Sequence, residues 1–392
     1  MVKNGELDLV IYGASGFTGR LVAEYMVQKY KNSNIAWALA GRDEAKLIRV
    51  RNEIGATKDT PVIVADSFDE AGITAMVKFA KCIISTVGPY TLYGEKLVEV
   101  CAREGTDYVD LCGEVLFMRE MIARHEEAAK KSAARIVFSC GFDSIPFDLG
   151  VQFLQEEAMK RFGAPCPRVR TRIRGITLYP SGGSISSVKT IMDEVKKDPS
   201  LFTPLMDPFS LTGGFSGPEQ PPANAVIKDE TLDVWVAPFM LAVVNAKNIH
   251  RSNALLGHAY GKDFVYDEMM IGGKGDAGKA AAESLAANGV MQSGGDLPNP
   301  GEGPSKEDRE KGFFDVLVHG TTANGETLSI AVKDNMDPGY GSTSKMLAES
   351  ALCLLEERAG TPGGIYTPAP VMGADLRKRL VERAGFTFEV ES

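Results

Sequence analysis

The sequence predicts an α/β protein in which an amino-terminal Rossmann domain, with a doubly wound parallel sheet, precedes a mixed α+β domain. Short apolar segments alternate with helical ones through residue 160, which is the pattern of βαβ units. Beyond that point, alternating polar and apolar residues predict strands, and helical periodicity resumes near the carboxyl end. We place the domain boundaries at 1–160, 161–340 and 341–392, and expect a C-terminal helix to return to the Rossmann domain.

In the first region, short apolar segments predict strands that are covered on both faces. The predicted strands are Asp8–Tyr12, Ile35–Ala40, Pro61–Ala65, Cys82–Thr86, Asp107–Asp110 and Arg135–Ser139. The predicted helices between them are Phe17–Lys29, Asp43–Ile54, Gly94–Arg103 and Leu116–Lys131. Strands and helices that alternate at this spacing form parallel sheets with helices on both faces.

The second region has a different pattern. Strict alternation of arginine with apolar or small residues at Arg168–Arg174 predicts an amphipathic strand. Two further segments flank a turn-rich stretch and predict a hairpin. The other predicted strands are Asp233–Val236, Phe313–Val318 and Leu328–Val332, and the predicted helices are Ser342–Arg358 and Ala374–Ala384.

Composition and charge exclude several classes of protein. The 392 residues are 44% hydrophobic and 24% charged, as in ordinary globular proteins with two or more domains. The net charge of −9 argues against nucleic-acid binding. The longest apolar run, near Val234–Val244, is interrupted by Pro238 and is shorter than the roughly 20 residues that span a bilayer.

Six cysteines at irregular spacing, without a Cys-x-x-Cys pair, predict reduced and buried thiols rather than disulfides. Four histidines without metal-ligand spacing predict no metal site. The first residues lead directly into a strand, without the basic and apolar regions of a signal peptide. We therefore expect a cytoplasmic protein, either free or peripheral to a membrane.

A glycine-rich segment follows the first predicted strand and opens the first helix. Residues 13–19 read Gly-Ala-Ser-Gly-Phe-Thr-Gly, a G-x-x-G-x-x-G pattern where Rossmann domains bind dinucleotides. Gly13 allows a tight turn, Gly16 lets the backbone approach a pyrophosphate, and Gly19 permits close helix–strand packing. The helix N-terminus offers free N–H groups to phosphate. The alternative is a glycine turn without a ligand.

The end of the second strand indicates which dinucleotide binds. NAD sites usually place Asp or Glu here to accept from the ribose hydroxyls, whereas this chain has Gly41 and Arg42. An arginine can pair with a 2′-phosphate, a contact worth about 1.5–3 kcal/mol. Asp43 either reaches the ribose or, as we favour, caps the next helix. NADP(H) is therefore favoured over NAD(H).

Ligands of open α/β sheets lie beyond the carboxyl ends of the strands. Three loops reach this edge, at 85–90, 110–114 and 140–146. Asp66 and Ser67, after the third strand, can approach the adenine, although Asp66 can equally cap a helix. The residues predicted to contact the cofactor are Gly13, Ala14, Ser15, Gly16, Phe17, Thr18, Gly41, Arg42, Asp66, Ser67, Thr86, Val87, Gly88 and Pro89.

Several of these segments together resemble the saccharopine dehydrogenase-like oxidoreductase family, and most of all its bacterial trans-acting enoyl reductases. In the first domain they are GASGFTGR at 13–20, AGR at 40–42, VGPYTLYGEKLVEVCAREGTDYVDLCGE at 87–114 and CGFDSIPFDLG at 140–150. Further on they are PGEGPS at 300–305, DPGYGSTSKMLAESALCL at 337–354 and GGIYTPAPVMG at 363–373. The resemblance implies an NAD(P)-linked redox step, with an acyl or enoyl substrate in the enoyl reductase group. It assigns no catalytic residue.

Hydride transfer is the chemistry of the cofactor, so the protein must orient the acceptor and supply a proton. Tyr90 and Tyr93, after the fourth strand, are candidate proton donors, or they pack against the ribose or the domain boundary. Asp143 is a candidate acid if burial raises its pKa, or it caps the helix that begins near Pro146.

The alternating arginines at 168–174 are expected on one strand face, either in salt bridges or as a docking surface for an acyl carrier protein. The stretch Trp235–Val244 either lines an acyl pocket or a dimer surface, or is core. A mixed second sheet also permits a homodimer.

Three functions stay open. The first is an NADP-dependent reductase of an acyl or lipid-like substrate. The second is a saccharopine-type imine reductase, although the sequence has no clear paired-arginine motif for a dicarboxylate. The third is a catalytically silent NADP-binding sensor, because a Rossmann fold does not fix a function.

Overall fold

The computed structural model describes residues 7–289, 298–299, 301–358 and 360–391. Within these ranges the chain forms two seven-stranded sheets. The strands are β1 (Leu7–Tyr12), β2 (Trp37–Gly41), β3 (Val62–Val64), β4 (Ala80–Ser85), β5 (Asp107–Asp110), β6 (Arg135–Val137), β7 (Arg168–Ile176), β8 (Ile227–Asp229), β9 (Val234–Pro238), β10 (Val265–Gly273), β11 (Phe314–Thr321), β12 (Thr327–Asp334), β13 (Gly364–Tyr366) and β14 (Thr387–Glu391).

The helices lie between and over these strands. They are α1 (Phe17–Tyr30), α2 (Glu44–Glu53), α3 (Glu70–Phe79), α4 (Tyr90–Tyr93), α5 (Glu95–Glu104), α6 (Val115–Ser132), α7 (Ile145–Phe162), α8 (Gly182–Lys197), α9 (Phe202–Met206), α10 (Ala242–Leu255), α11 (Gly275–Asn288), α12 (Lys306–Lys311), α13 (Thr343–Glu356), α14 (Pro368–Val371) and α15 (Gly373–Arg379). A short 3₁₀ helix at Pro199–Leu201 and π-helical turns at Pro338–Ser342 and Leu380–Ala384 complete the set.

The first sheet is parallel throughout, with strand order β13-β6-β5-β4-β1-β2-β3. Successive residues of β1 enter different cores: Leu9 and Ile11 pack with α1 and α13, whereas Val10 packs on the opposite face with α3 and α5. Because both faces are covered, each strand reads as an apolar run. The predicted doubly wound sheet is confirmed, with β13 as an additional edge strand.

The second sheet is mixed, with strand order β14-β12-β11-β7-β10-β9-β8. The predicted hairpin is β11–β12, which pairs antiparallel from Phe314 to Thr321. Helix α7 packs on these two strands, and α10 packs on β10 and α7. The predicted strand at Arg168–Arg174 is β7, in the middle of this sheet.

The carboxyl-terminal segment contributes to both sheets. Helix α13 packs on α1, β4 and β5, as expected for a helix that returns to the first domain. The hydroxyls of Tyr25 and Tyr30 each donate a 2.6 Å hydrogen bond to Glu349 of α13, and Arg379 donates to the same carboxylate at 2.9 Å. The proposed boundaries at 160 and 340 stay predictions.

The arginines of β7 form salt bridges within the sheet. The Arg172 side chain is 2% exposed and contacts Asp229 at 2.8 Å and Asp267 at 2.7 Å. Arg174 contacts Asp315 at 2.6 Å. Since these guanidinium groups already have carboxylate partners, the salt-bridge interpretation is favoured over a docking surface for an acidic partner.

All six cysteines are free and buried, as predicted. None of the described helices combines the length and the apolar character needed to cross a bilayer. In the apolar stretch at 235–244, Phe239 is buried beside Phe147, whereas Met240 is exposed. The core interpretation therefore holds for Phe239.

Candidate active site

The glycine-rich loop has the geometry that its pattern predicts. Gly13 adopts a φ of 92°, and a Cβ atom there would lie 2.6 Å from the Thr86 hydroxyl oxygen. A Cβ atom on Gly19 would collide with the Gly13 carbonyl oxygen. Side chains at these two positions would separate β1, α1 and the loop after β4, so the close approach requires glycine.

The N-terminus of α1 fits a dinucleotide pyrophosphate. This helix of 14 residues has Gly16 at its N-cap, without a side-chain cap and without an acidic residue in its first turn. The first N–H groups of a helix have no partner within it, and the helix dipole favours an anion there. The loop of residues 13–16 can therefore hold phosphates without competition from a local carboxylate.

The end of β2 lies beside this loop. A Cβ atom on Gly41 would be 3.6 Å from the Ser15 hydroxyl oxygen, and the following Arg42 is exposed. Asp43 is the N-cap of α2 and accepts a 3.0 Å hydrogen bond from the Lys46 amide. The prediction that Asp43 caps the helix is confirmed, and Arg42 is the side chain available for a phosphate.

The residues after β3 join the same group. The hydroxyls of Tyr12 and Ser67 are 2.9 Å apart, and Asp66 accepts from the Phe68 amide at 2.9 Å in a turn. Burial raises the pKa of Tyr12, and the Arg42 guanidinium partly opposes that rise. The carboxyl ends of β1, β2 and β3 thus bring together the predicted adenine-side residues.

A buried carboxylate, Glu114, ties the next loops together. The amides of Tyr90 and Thr91 each donate to it at 2.8 Å, and the Ser187 hydroxyl of α8 donates at 2.7 Å. These bonds satisfy the first N–H groups of α4 and connect the loops after β4 and β5 to α8. Sequence reasoning assigned Glu114 no role.

The two candidate tyrosines have different surroundings. Tyr90 is 5% exposed, and its hydroxyl donates a 3.1 Å hydrogen bond to the Ser85 carbonyl oxygen. Burial raises the pKa of Tyr90 well above its ordinary value. The ring of Tyr93 is more accessible and contacts Phe68 edge to face at 5.7 Å. The packing interpretation fits Tyr90.

Asp143 does not cap the helix that follows it. Ser144 is the N-cap of α7, and no side chain makes a capping bond there. Burial raises the pKa of Asp143 to about 7. A carboxyl group with this pKa is partly protonated at neutral pH and can act as an acid.

The buried carboxyl group of Glu268 is close enough to Asp143 for their charges to interact. Glu268 of β10 accepts hydrogen bonds of 2.8 Å from the side-chain amide of Asn245 and from the Tyr266 hydroxyl. Burial raises the pKa of Glu268 to about 8, and the charge of Asp143 contributes to that rise. Asn248, one turn further along α10, donates to the Ser144 hydroxyl at 2.8 Å.

Tyr340 lies beside the glycine-rich loop. Its ring contacts Phe17, the first residue of α1, edge to face at 5.1 Å. Burial raises the pKa of Tyr340, and the charges of Asp337 and Asp143 add to that rise. Gly303 lies so close to Phe17 that a Cβ atom there would collide with the ring. Tyr340 and Gly303 therefore both pack against the first residue of α1.

Known proteins are similar to this chain in sequence and in fold. A family model for the saccharopine dehydrogenase NADP-binding domain matches residues 9–137. The trans-acting enoyl reductases of Mycobacterium ulcerans and Mycobacterium leprae are 36% and 34% identical over 404 and 402 residues, with 96% of each chain covered. A saccharopine dehydrogenase (L-Glu forming) of Saccharomyces cerevisiae has a TM-score of 0.51 and 13% identity, with 98% of this chain and 100% of its own covered.

The matched domain, the fold and the identity to the enoyl reductases define an NAD(P)-dependent oxidoreductase of the saccharopine dehydrogenase-like type. Within that class, the chain belongs to the family of the trans-acting enoyl reductases. The predicted family and the predicted enzyme class are confirmed.

Proposed function

We propose that this protein uses NADPH to reduce the carbon–carbon double bond of an enoyl thioester. The observation that carries the proposal is the position of Asp143, which is half-buried in the loop after β6 and whose pKa is raised to about 7. It lies next to Ser144, whose hydroxyl accepts from Asn248. An enoyl reductase needs an acid near the nicotinamide end of its cofactor. The names of the mycobacterial relatives support this substrate class.

The cofactor is NADP(H) rather than NAD(H) in this proposal. The amide groups of residues 13–18 would hold the pyrophosphate, and Arg42 would pair with the 2′-phosphate. Asp66 and Ser67 would contact the adenine side, and residues 86–89 would contact the nicotinamide ribose. When bound, NADPH supplies the hydride.

The protein supplies the proton. Hydride addition at the β-carbon leaves negative charge on the thioester, and the α-carbon then needs a proton. A protonated Asp143 donates it. Glu268 has a pKa of about 8 and is neutral near pH 7, so it adds no second negative charge beside the developing one. Tyr93 is the second candidate donor, and Tyr90 holds the loop after β4 in place.

The thioester carrier and the compartment follow from the same substrate class. An acyl carrier protein can deliver an enoyl thioester, and a homodimer is compatible with a mixed second sheet. Six buried thiols favour a reducing compartment, so we infer a cytoplasmic location.

Steady-state turnover distinguishes this function from the alternatives. NADPH oxidation is followed with a crotonyl thioester, with a longer enoyl thioester, and with an amine plus a keto acid. We expect oxidation with the enoyl thioesters only. Oxidation with the amine and keto acid alone would identify an imine reductase, and tight NADPH binding without any turnover would identify a sensor.

A further inference from the structure

A groove of about 700 Å³ lies beside the loop after β4. It runs along the first half of α6 and is covered on its other side by residues 201–216. This volume lies within the range of small-molecule sites. The lining is mixed: its apolar residues include Leu116, Phe117, Ile122, Leu201, Phe209 and Phe215, and its charged residues are Glu95, Arg119, Glu120, Glu194 and Asp207.

The groove is continuous with the loops that form the site. Thr91 lines one end of it, and the Thr91 amide donates to Glu114, which also binds the loop residue Tyr90. Glu194 of α8 lines the groove as well, and Ser187 of the same helix donates to Glu114. A ligand in the groove would therefore begin next to the loop after β4.

Polar and apolar groups are distributed unevenly along the groove. The Thr91 hydroxyl, at the end near the site, is buried and has no hydrogen-bond partner among the described residues. Among the residues that line the groove, Phe117, Phe209 and Leu211 are buried, whereas the charged Arg119, Glu120 and Asp207 are exposed. The buried apolar side chains therefore form the floor of the groove.

We propose that the groove binds the apolar chain of the substrate, with its reacting end toward Thr91, and that it gives the enzyme a preference for long acyl chains. The inference rests on the proposed function for the identity of the chain. A flexible acyl chain fits a groove with a polar end and an apolar floor.

The chain-length preference has a physical basis. Each methylene group moved from water into an apolar environment adds to the binding free energy, so a chain of several methylene groups gains far more in the groove than a crotonyl group. A substituent that fills the groove must therefore affect long substrates more than short ones.

The test compares two tryptophan variants of α6. Ala123 is exposed and lines the groove, so Ala123→Trp places an indole in it without disturbing the core. Lys131 is exposed on the same helix outside the groove, so Lys131→Trp is the matched control. For each variant, kcat/KM is measured with crotonyl and dodecenoyl thioesters, and binding of a fluorescent fatty acid is measured without NADPH.

We expect Ala123→Trp to lower the dodecenoyl-to-crotonyl ratio of kcat/KM about tenfold or more, and to weaken binding of the fluorescent fatty acid by a similar factor. Lys131→Trp should change neither. An unchanged ratio in an active Ala123→Trp enzyme would overturn the groove assignment and leave the proposed function intact. Binding of the fatty acid that Ala123→Trp weakens, without turnover of any enoyl thioester, would support the groove and contradict the reductase.

Discussion

Asn248 of α10 donates a 2.8 Å hydrogen bond to the Ser144 hydroxyl, which joins the second region of the chain to the loop that carries Asp143. Both residues are buried, so water does not compete for this bond. We expect Asn248→Ala to lower kcat about tenfold because Asp143 is less well positioned, with NADPH affinity unchanged.

A double-mutant cycle isolates this bond. Ser144→Ala should reduce kcat to the same extent as Asn248→Ala, and the double variant should be no slower than either. Additive losses would mean that the two residues act separately.

Asp143→Asn tests the proton donor. We expect kcat to fall by about 10²–10⁴-fold, with NADPH binding retained, since an amide cannot supply the proton. The pKa of Asp143 is raised to about 7, so the rate of the unmodified enzyme should be highest below this pH and fall as the pH rises through it. That descending limb should disappear in Asp143→Asn, as measured by a pH profile of kcat. A limb that persists would assign the acid elsewhere, with Tyr93 the first alternative.

Arg42→Glu tests the choice of nucleotide. Removal of the guanidinium and addition of a carboxylate beside the 2′-phosphate should weaken NADPH binding at least about 10- to 100-fold, with a much smaller effect on NADH. Fluorescence titration of both nucleotides measures the change. Arg49→Glu, an exposed position on α2 with the same change in charge, is the control. Equal weakening by both variants would point to overall charge rather than a specific contact.

Arg172→Met tests the salt bridges of the second sheet. This substitution removes the partner that Asp229 and Asp267 share, although Arg168 still contacts Asp267, and we expect the free energy of unfolding to fall by about 1.5–3 kcal/mol. Arg174→Met on the same strand should cost less than about 1 kcal/mol, because the Arg174 pairs are partly solvated. Urea unfolding measures both. Similar small losses would mean that the Arg172 pairs contribute little to stability.

Local sequence patterns predicted most of the first sheet. The predicted strands Asp107–Asp110 and Asp8–Tyr12 are short apolar or mixed segments between helices. Their bounds in the structure differ from the predicted ones by at most one residue. The edge strand β13 was missed because its three residues pair with β6 more than 200 positions earlier in the chain. Pairing over such a distance leaves no local periodicity.

The cofactor loop could be predicted from the sequence. Of the two carboxyl groups with raised pKa values, Asp143 could be predicted and Glu268 could not. Asp143 follows a strand of the first sheet, at the edge where ligands bind. Glu268 and its partner Asn245 come from β10 and α10, and only the tertiary fold brings them near Asp143. One signal was present: α10 has polar residues at positions 245, 247, 248 and 250–253, and all of them are buried, which is unusual for a helix.

Transfer of deuterium from the cofactor tests the central claim most directly. The protein is mixed with a crotonyl thioester and NADPH that carries deuterium at the transferable position of nicotinamide C4, and the product is examined by mass spectrometry and NMR. We predict a saturated thioester with one deuterium at the β-carbon, and we expect it to form much faster with NADPH than with NADH. An unreduced thioester, or a saturated product without deuterium at the β-carbon, would contradict it.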